Sequence, residues 1–110
     1  MNIAQERHND VAVCIVEGDI NIHSSVELRK VFDALIKGNT KKLLVDLAGV
    51  SYVDSSGLAT LIEMLQRLKK IGGSLRVCGM VDKVKNVFEI TKVYKLFSIY
   101  DTRTAALEQF

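Results

Sequence analysis

The sequence contains no tryptophan and no proline, and only 6% of its 110 residues are aromatic. The hydrophobic share is nevertheless 48%, so valine, leucine and isoleucine must build the core. A chain of this length is typical of one domain, and it buries roughly two-thirds of its unfolded surface on folding. We therefore expect a single domain over residues 1–110.

Cysteine is also scarce. The two cysteines, Cys14 and Cys78, lie inside apolar runs and form neither a C-x-x-C pair nor a metal-ligand cluster. A core of this size needs no disulfide, so the pattern favours buried, reduced thiols. The sequence predicts no metal site and no cofactor.

No apolar run approaches the length of a membrane span, and the N-terminal segment MNIAQERHND lacks the hydrophobic region of a signal peptide. The net charge of +2, from 15 basic and 13 acidic residues, is too small to indicate nucleic-acid binding. We expect a cytoplasmic protein with no membrane or direct nucleic-acid partner. Such a mild surface favours a monomer.

Apolar runs that are typical of strands alternate with segments in which apolar residues recur at helical spacing. The predicted strands are Asn2–Arg7, Val11–Glu17, Leu43–Leu47, Leu75–Gly79 and Phe97–Tyr100. The longer helices carry the stripes Leu28–Ile36 and Leu58–Leu68, and shorter helices follow Asp82 and Asp101. The candidate helix caps are Ser24 or Ser25, Asp54 or Ser55, Asp82, and Asp101 or Thr102. The order ββαβαβαβα predicts an α/β fold with a mostly parallel sheet of about five strands and about four helices.

One stretch has more polar chemistry than its place in the chain requires. Asp54, Ser55, Ser56 and Gly57 lie where a strand passes into a helix, at the carboxyl edge of the predicted sheet. One side-chain oxygen is enough to cap the helix, and a simple cap accounts for the stretch on its own. Two hydroxyls at a helix N-terminus, which favours negative charge, also allow a functional site.

Two kinds of chemistry fit this stretch poorly. A hydrolase needs a general base beside its serine, but D-S-S-G is not G-x-S-x-G and the only histidines are His8 and His23. A phosphate-binding loop lacks both glycine-rich signatures, and Asp54 would repel the ligand. We therefore expect that the protein is not an enzyme.

A third kind of chemistry fits better: one serine accepts a phosphoryl group from another protein. Phosphoserine carries about −1.5 to −2 charges, and a helix N-terminus stabilises such charge by about 0.3–1 kcal/mol. A partner surface pressed against the same serine would instead bury that charge, at a cost of several kcal/mol. Phosphorylation could then leave the fold intact and break a complex.

The stretch V-S-Y-V-D-S-S-G-L-A-T-L-I-E, preceded by Asp46-Leu47, resembles the signature of bacterial anti-sigma factor antagonists, which are small single-domain members of the STAS family. The resemblance extends to the Gly18-Asp19-Ile20 turn, to K-K-I-G-G at 69–73 and to L-R-V-C-G at 75–79. It implies a single STAS domain over 1–110. It also implies a mixed sheet whose first strand is antiparallel at one edge, with helices chiefly on one face.

The resemblance also implies a function in transcription regulation. The unphosphorylated antagonist binds a switch kinase that otherwise sequesters a sigma factor, and so releases the sigma factor. The kinase uses its own ATP to phosphorylate the serine after the motif aspartate, here Ser55, which breaks the complex, and a serine phosphatase resets it. Ser56 is expected as a capping or supporting hydroxyl, and Asp54 as the residue that shapes the site and orients the accepting hydroxyl. Gly57 and Leu58 are expected in the contact surface, with Leu58 alternatively in the core.

The turn after the second strand departs from the family pattern. Members often carry an acid two residues after the position of Asp19, where this sequence has Asn21. Because the turn lies near the phosphorylation loop in the family fold, we expect Asp19 and Asn21 beside the partner site, with one carboxylate fewer than usual.

Two alternatives remain open from the sequence. The domain could be the STAS subunit of a larger stress-signalling or lipid-transport assembly, which co-purification would reveal. It could also be a small nucleotide-binding module, which requires a pocket.

Overall fold

The sheet has five strands in the order β1-β2-β3-β4-β5 in a computed structural model that describes residues 1–110. Strand β1 is antiparallel to β2 at one edge, and the other neighbours are parallel. Both the predicted order and the antiparallel edge are confirmed. The elements are β1 (Asn2–His8), β2 (Val11–Glu17), α1 (Ser24–Lys37), β3 (Lys42–Gly49), α2 (Ser55–Lys70), β4 (Ser74–Cys78), α3 (Asp82–Ile90), a 3-10 turn (Val93–Lys95), β5 (Ser98–Tyr100) and α4 (Arg103–Leu107).

The two faces of the sheet are covered unequally. Helices α1, α2 and α3 pack on one face and enclose a cluster of 23 buried residues. Helix α4 covers the other face, where the buried cluster has only five residues. This arrangement confirms that the helices lie chiefly on one face. It also explains the continuous apolar run of β2, because side chains on both faces of that strand are buried.

The two cysteines lie on different faces of the sheet. Cys14 belongs to the large cluster and Cys78 to the small one, and both are buried and unpaired, as predicted. Burial raises the pKa of Cys14 to about 12. Burial, with a smaller contribution from the charge of Asp46, raises the pKa of Cys78 to about 11. Neither thiol reacts while it stays covered.

Two of the predicted helix caps are wrong. Helix α1 is preceded by His23, whose side chain makes no capping bond, because the side chain of Asn21 already accepts the first N–H groups. Neither Ser24 nor Ser25 is the cap. Helix α3 is preceded by Val81, which also makes no side-chain capping bond, and Asp82 lies in the first turn instead. Its negative charge there still interacts favourably with the helix dipole.

The C-terminal segment is held mainly by Arg76 of β4. The guanidinium donates hydrogen bonds of 2.8 to 3.1 Å to three main-chain carbonyls, those of Ala106, Glu108 and Gln109. Its central carbon also lies 4.4 Å from the ring centroid of Phe110 and 5.1 Å from that of Tyr100. One side chain therefore fixes the end of the chain to the sheet.

An ion pair with a buried carboxylate fixes the start of α4. Asp46 of β3 is only 6% exposed. One of its carboxylate oxygens accepts hydrogen bonds from Arg103, and the other accepts from the N–H of Ala48 at 3.0 Å. Removing Arg103 would leave the buried carboxylate of Asp46 without its cation, which is destabilising. Removing Asp46 would cost less, because the side chain of Arg103 is 38% exposed and also lies 3.4 Å from Glu6 Oε2.

We predict that Arg76→Met loosens the C-terminal segment without unfolding the domain. Charged hydrogen bonds contribute about 1.5–3 kcal/mol each, so local opening should increase about tenfold or more. The expected result is faster alkylation of Cys78 by iodoacetamide in native buffer, with Cys14 unchanged, as measured by peptide mass spectrometry.

Arg29→Met is the matched control, because Arg29 contacts only the exposed Glu63 on the helical face. Equal acceleration of both thiols in Arg76→Met would contradict separate opening of the C-terminal segment.

Candidate functional site

The loops that follow β2 and β3 are joined by backbone hydrogen bonds beyond the carboxyl edge of the sheet. We call residues 18–23 and 50–54 the paired loops. The N–H of Ile20 donates to the carbonyl of Tyr52 at 2.9 Å, and the N–H of Asp54 donates to the carbonyl of Ile20 at 3.1 Å. Ile20 and Val53 form a parallel bridge. The β2–β3 pairing is thus extended to the residue that precedes helix α2.

Gly57 allows the first turn of α2 to lie against these loops. A Cβ atom at this position would be 2.7 Å from Ile20 Cγ2, 2.8 Å from the Ile20 carbonyl oxygen and 2.9 Å from Val53 Cγ1. No larger residue fits without moving the backbone. Gly57 is buried and Leu58 is only 6% exposed. The expectation that both lie in the contact surface is therefore wrong, and Leu58 follows its alternative as a core residue.

Asp54 caps helix α2, as one of the two sequence alternatives predicts. Its Oδ1 accepts from the N–H of Gly57 at 3.0 Å, and its carbonyl accepts from the N–H of Leu58 at 3.0 Å. The carboxylate makes no hydrogen bond with the hydroxyl of Ser55. Its contribution to the site is the position of the helix, and hence of the serine at the start of that helix.

The two motif serines differ in accessibility. Ser55 is the first residue of α2 and is exposed, and no protein group hydrogen-bonds its hydroxyl. Ser56 is half-buried, and its carbonyl, not its hydroxyl, accepts from Thr60 Oγ1 at 3.0 Å. Ser56 is therefore not a capping hydroxyl. Of the two, Ser55 is the more exposed.

Asp19 and Asn21 lie in the paired loops and order them. Asn21 Oδ1 accepts from the N–H groups of His23 at 2.9 Å and Ser24 at 3.0 Å, and Ser24 Oγ donates to the Asp19 carbonyl at 2.7 Å. Asp19 Oδ1 accepts from Ser51 Oγ at 2.9 Å, which joins the two loops through side chains. The position of Asn21 requires an oxygen acceptor, which asparagine and aspartate both provide.

Exposed apolar side chains lie on the same edge of the domain as the serine, a feature that the motif did not reveal. The paired loops and the first turn of α1 carry Ile22 at 62% exposure, Tyr52 at 42% and Val26 at 51%. The ammonium of Lys83, at the start of α3, lies 5.8 Å from the centroid of the Tyr52 ring. Apolar side chains grouped in this way on a polar edge are typical of a protein contact surface. In the sequence, the only indication of this surface is the presence of single apolar residues in otherwise polar loops.

Comparison with known proteins places these features in a family. Residues 2–106 match the model of the STAS domain. The anti-sigma-B factor antagonist of Staphylococcus aureus is 30% identical over 84 residues, which cover 76% of this chain and 78% of that protein. The anti-sigma F factor antagonist of Paenibacillus polymyxa is 24% identical over 110 residues, which cover 99% and 94%.

Solved structures agree on the fold. An anti-sigma factor antagonist from Mycobacterium paratuberculosis superposes with a TM-score of 0.89 at 25% identity, over 96% of this chain and 90% of that one. The phosphorylated form of the Bacillus cell fate determinant SpoIIAA gives a TM-score of 0.75 at 15% identity, over 98% of both chains, which shows the fold alone. None of the helices combines the length and apolar character that crossing a membrane requires. The chain belongs to the STAS domain family.

Proposed function

We propose that this protein is an anti-sigma factor antagonist that binds an anti-sigma factor kinase only while Ser55 is unphosphorylated. The observation that carries the proposal is the exposed Ser55 at the start of α2, whose hydroxyl makes no hydrogen bond, on the edge that also carries the exposed side chains of Ile22, Val26 and Tyr52. The names of the relatives from Staphylococcus aureus and Paenibacillus polymyxa support the class of partner.

In the unmodified form, the kinase covers the apolar side chains and brings its ATP to Ser55. The serine Oγ attacks the γ-phosphorus, the bond from that phosphorus to the bridging oxygen of ADP breaks, and the serine proton passes to a base on the kinase. This chain supplies the acceptor and its position, and it acts as a binding module rather than as an enzyme. A serine phosphatase restores the hydroxyl by adding water to the phosphoester.

The phosphate then has opposite effects on the domain and on the complex. In the free domain the group is in water, at the positive end of the α2 dipole, so folding is little affected. In the complex it would be buried on the edge that also carries the carboxylates of Asp19 and Asp54, at a cost of several kcal/mol. Each ~1.4 kcal/mol lowers the affinity tenfold, which is enough to release the kinase.

We predict that Ser55→Ala abolishes phosphorylation and leaves the fold intact. The hydroxyl makes no protein contact, so the free energy of unfolding should change by less than about 0.5 kcal/mol. Intact-mass spectrometry with purified kinase and ATP should show a gain of one phosphoryl group in the wild type and none in the variant.

Ser56→Ala is the matched control and should be phosphorylated like the wild type. Transfer at full rate to Ser55→Ala would assign the acceptor to another residue and overturn the proposal.

We also predict that Asn21→Asp preserves stability and kinase binding, whereas Asn21→Ala does not. Aspartate keeps the oxygen that accepts from His23 and Ser24, and alanine leaves both N–H groups without it. Loss of such a cap costs about 0.5–2 kcal/mol, which urea denaturation can measure. If Asn21→Asp lowers kinase affinity at unchanged stability, the partner recognises the amide itself, and the structural role assigned to Asn21 is incomplete.

A further inference from the structure

A polar cleft lies at the opposite end of the sheet from Ser55, where β3 and β4 begin and helices α1 and α2 end. Its volume is about 400 Å³, and none of the nine residues that line it is hydrophobic. Arg7, Lys41 and Lys42 supply its cations, Asp10 its single carboxylate, and Thr40 and Ser74 its hydroxyls. The size is within the range of ligand sites, about 300–1,000 Å³, but most such sites are lined by apolar residues.

Only one of the three cations in this cleft forms an ion pair. Lys42 Nζ lies 2.9 Å from Asp10 Oδ2, and this hydrogen bond is the main cause that lowers the pKa of the Asp10 carboxyl. Neither Arg7 nor Lys41 forms an ion pair, and the charge of Arg7 is the smallest of the causes that lower the pKa of Asp10. The cleft therefore presents a guanidinium and an ammonium that are available to an anion.

Only some of the cations at this end of the sheet serve to offset helix dipoles. Helix α1 ends in Lys37 and α2 in Lys69 and Lys70, and these cations offset the negative C-terminal ends of the two helices. Arg7 and Lys41 lie outside the helices, one in β1 and one before β3. Arg7 and Lys41 therefore add positive charge that does not serve to offset a helix dipole. The helix-end lysines, in turn, reduce the repulsion between an anion and the free carbonyls at the C-terminal ends of α1 and α2.

Charge is strongly separated along the sheet as a result. Seven basic residues lie at this end, the three of the cleft and Lys37, Arg67, Lys69 and Lys70 at the helix ends, with Asp10 in the cleft and Asp33 paired with Arg67. The chain has 15 basic and 13 acidic residues, so eight basic and eleven acidic residues remain elsewhere. A domain that is close to neutral overall thus has a positive end, and this end is remote from the acidic edge that carries Ser55.

We propose that the polar cleft binds a small anion with two or more phosphate groups. Arginine and lysine donate to phosphate oxygens, the former through a planar fork, and the hydroxyls of Thr40 and Ser74 add donors. The cleft has no aromatic side chain to stack a base and no apolar wall to hold an acyl group. The ligand is therefore recognised by its phosphates, and two separate cations match more than one of them.

The test is titration of the ¹⁵N-labelled protein with sodium tripolyphosphate at low ionic strength, followed by NMR and calorimetry. Saturable shifts are expected at the amides of Arg7, Lys41 and Ser74, and the affinity should fall as salt is added. Arg7→Gln and Lys41→Gln should each weaken binding about tenfold or more. The fold contact of Lys41 is through its carbonyl, which accepts from the Ser74 N–H at 2.7 Å, so the glutamine variant keeps this contact.

Lys95→Gln, on the exposed 3-10 turn, removes the same charge away from the cleft and should bind like the wild type. If Lys95→Gln lost as much affinity as the cleft variants, tripolyphosphate would be attracted by net charge alone, and the proposal would be overturned. The absence of saturable shifts at the cleft amides would overturn it as well. If a ten-residue glutamate peptide bound the cleft as tightly as tripolyphosphate does, the cleft would be a site for acidic polypeptides and the proposal would be overturned. Ser55→Ala should leave tripolyphosphate binding unchanged, so this test does not depend on the switch at Ser55.

Discussion

The hydrogen-bonded pairing of the loops after β2 and β3 determines the geometry of the whole carboxyl edge. The Ile20–Tyr52 and Asp54–Ile20 bonds continue the sheet beyond the last regular pair of strands. Gly57 then allows the first turn of α2 to rest on Ile20 and Val53. The position of Ser55 therefore follows from main-chain contacts that do not involve its own side chain, and a change of chemistry at its hydroxyl leaves those contacts unaltered.

The polar residues that position Ser55 are therefore different from the residue whose hydroxyl accepts the phosphate. Asp54 closes the end of the helix, Asn21 orders the turn that enters α1, and Asp19 joins the loops through Ser51. Ser55 is the exposed serine of the motif, and its hydroxyl takes no part in this support. Because no hydrogen bond of the fold depends on the Ser55 hydroxyl, negative charge added there changes the affinity for a partner and leaves the fold unchanged.

Periodicity and order along the chain were enough to predict the elements and the mostly parallel sheet, and they gave Asp54 as one of two candidate caps of α2. They failed at the cap of α1, which depends on a local turn, and where a contact joins residues distant in sequence. The side chain that caps α1 is that of Asn21, which acts three residues away through a turn, so the nearer serines looked more suitable. The close approach of Gly57 to Ile20 became visible only once two loops were paired in space. The attachment of α4 likewise depends on Arg76 and on the pair of Asp46 with Arg103, whose partners lie in different parts of the chain.

The central claim is that a phosphate on Ser55 is tolerated by the domain and rejected by the complex. The most direct measurement compares the phosphorylated and unmodified proteins twice, by denaturant unfolding and by titration with the purified kinase. The account predicts unfolding free energies within about 1 kcal/mol of each other, because the group is exposed at a helix N-terminus. It also predicts an affinity about a hundredfold or more lower for the phosphorylated protein, from a cost of about 3 kcal/mol or more. Equal affinities, or a phosphorylated domain that no longer folds, would contradict it.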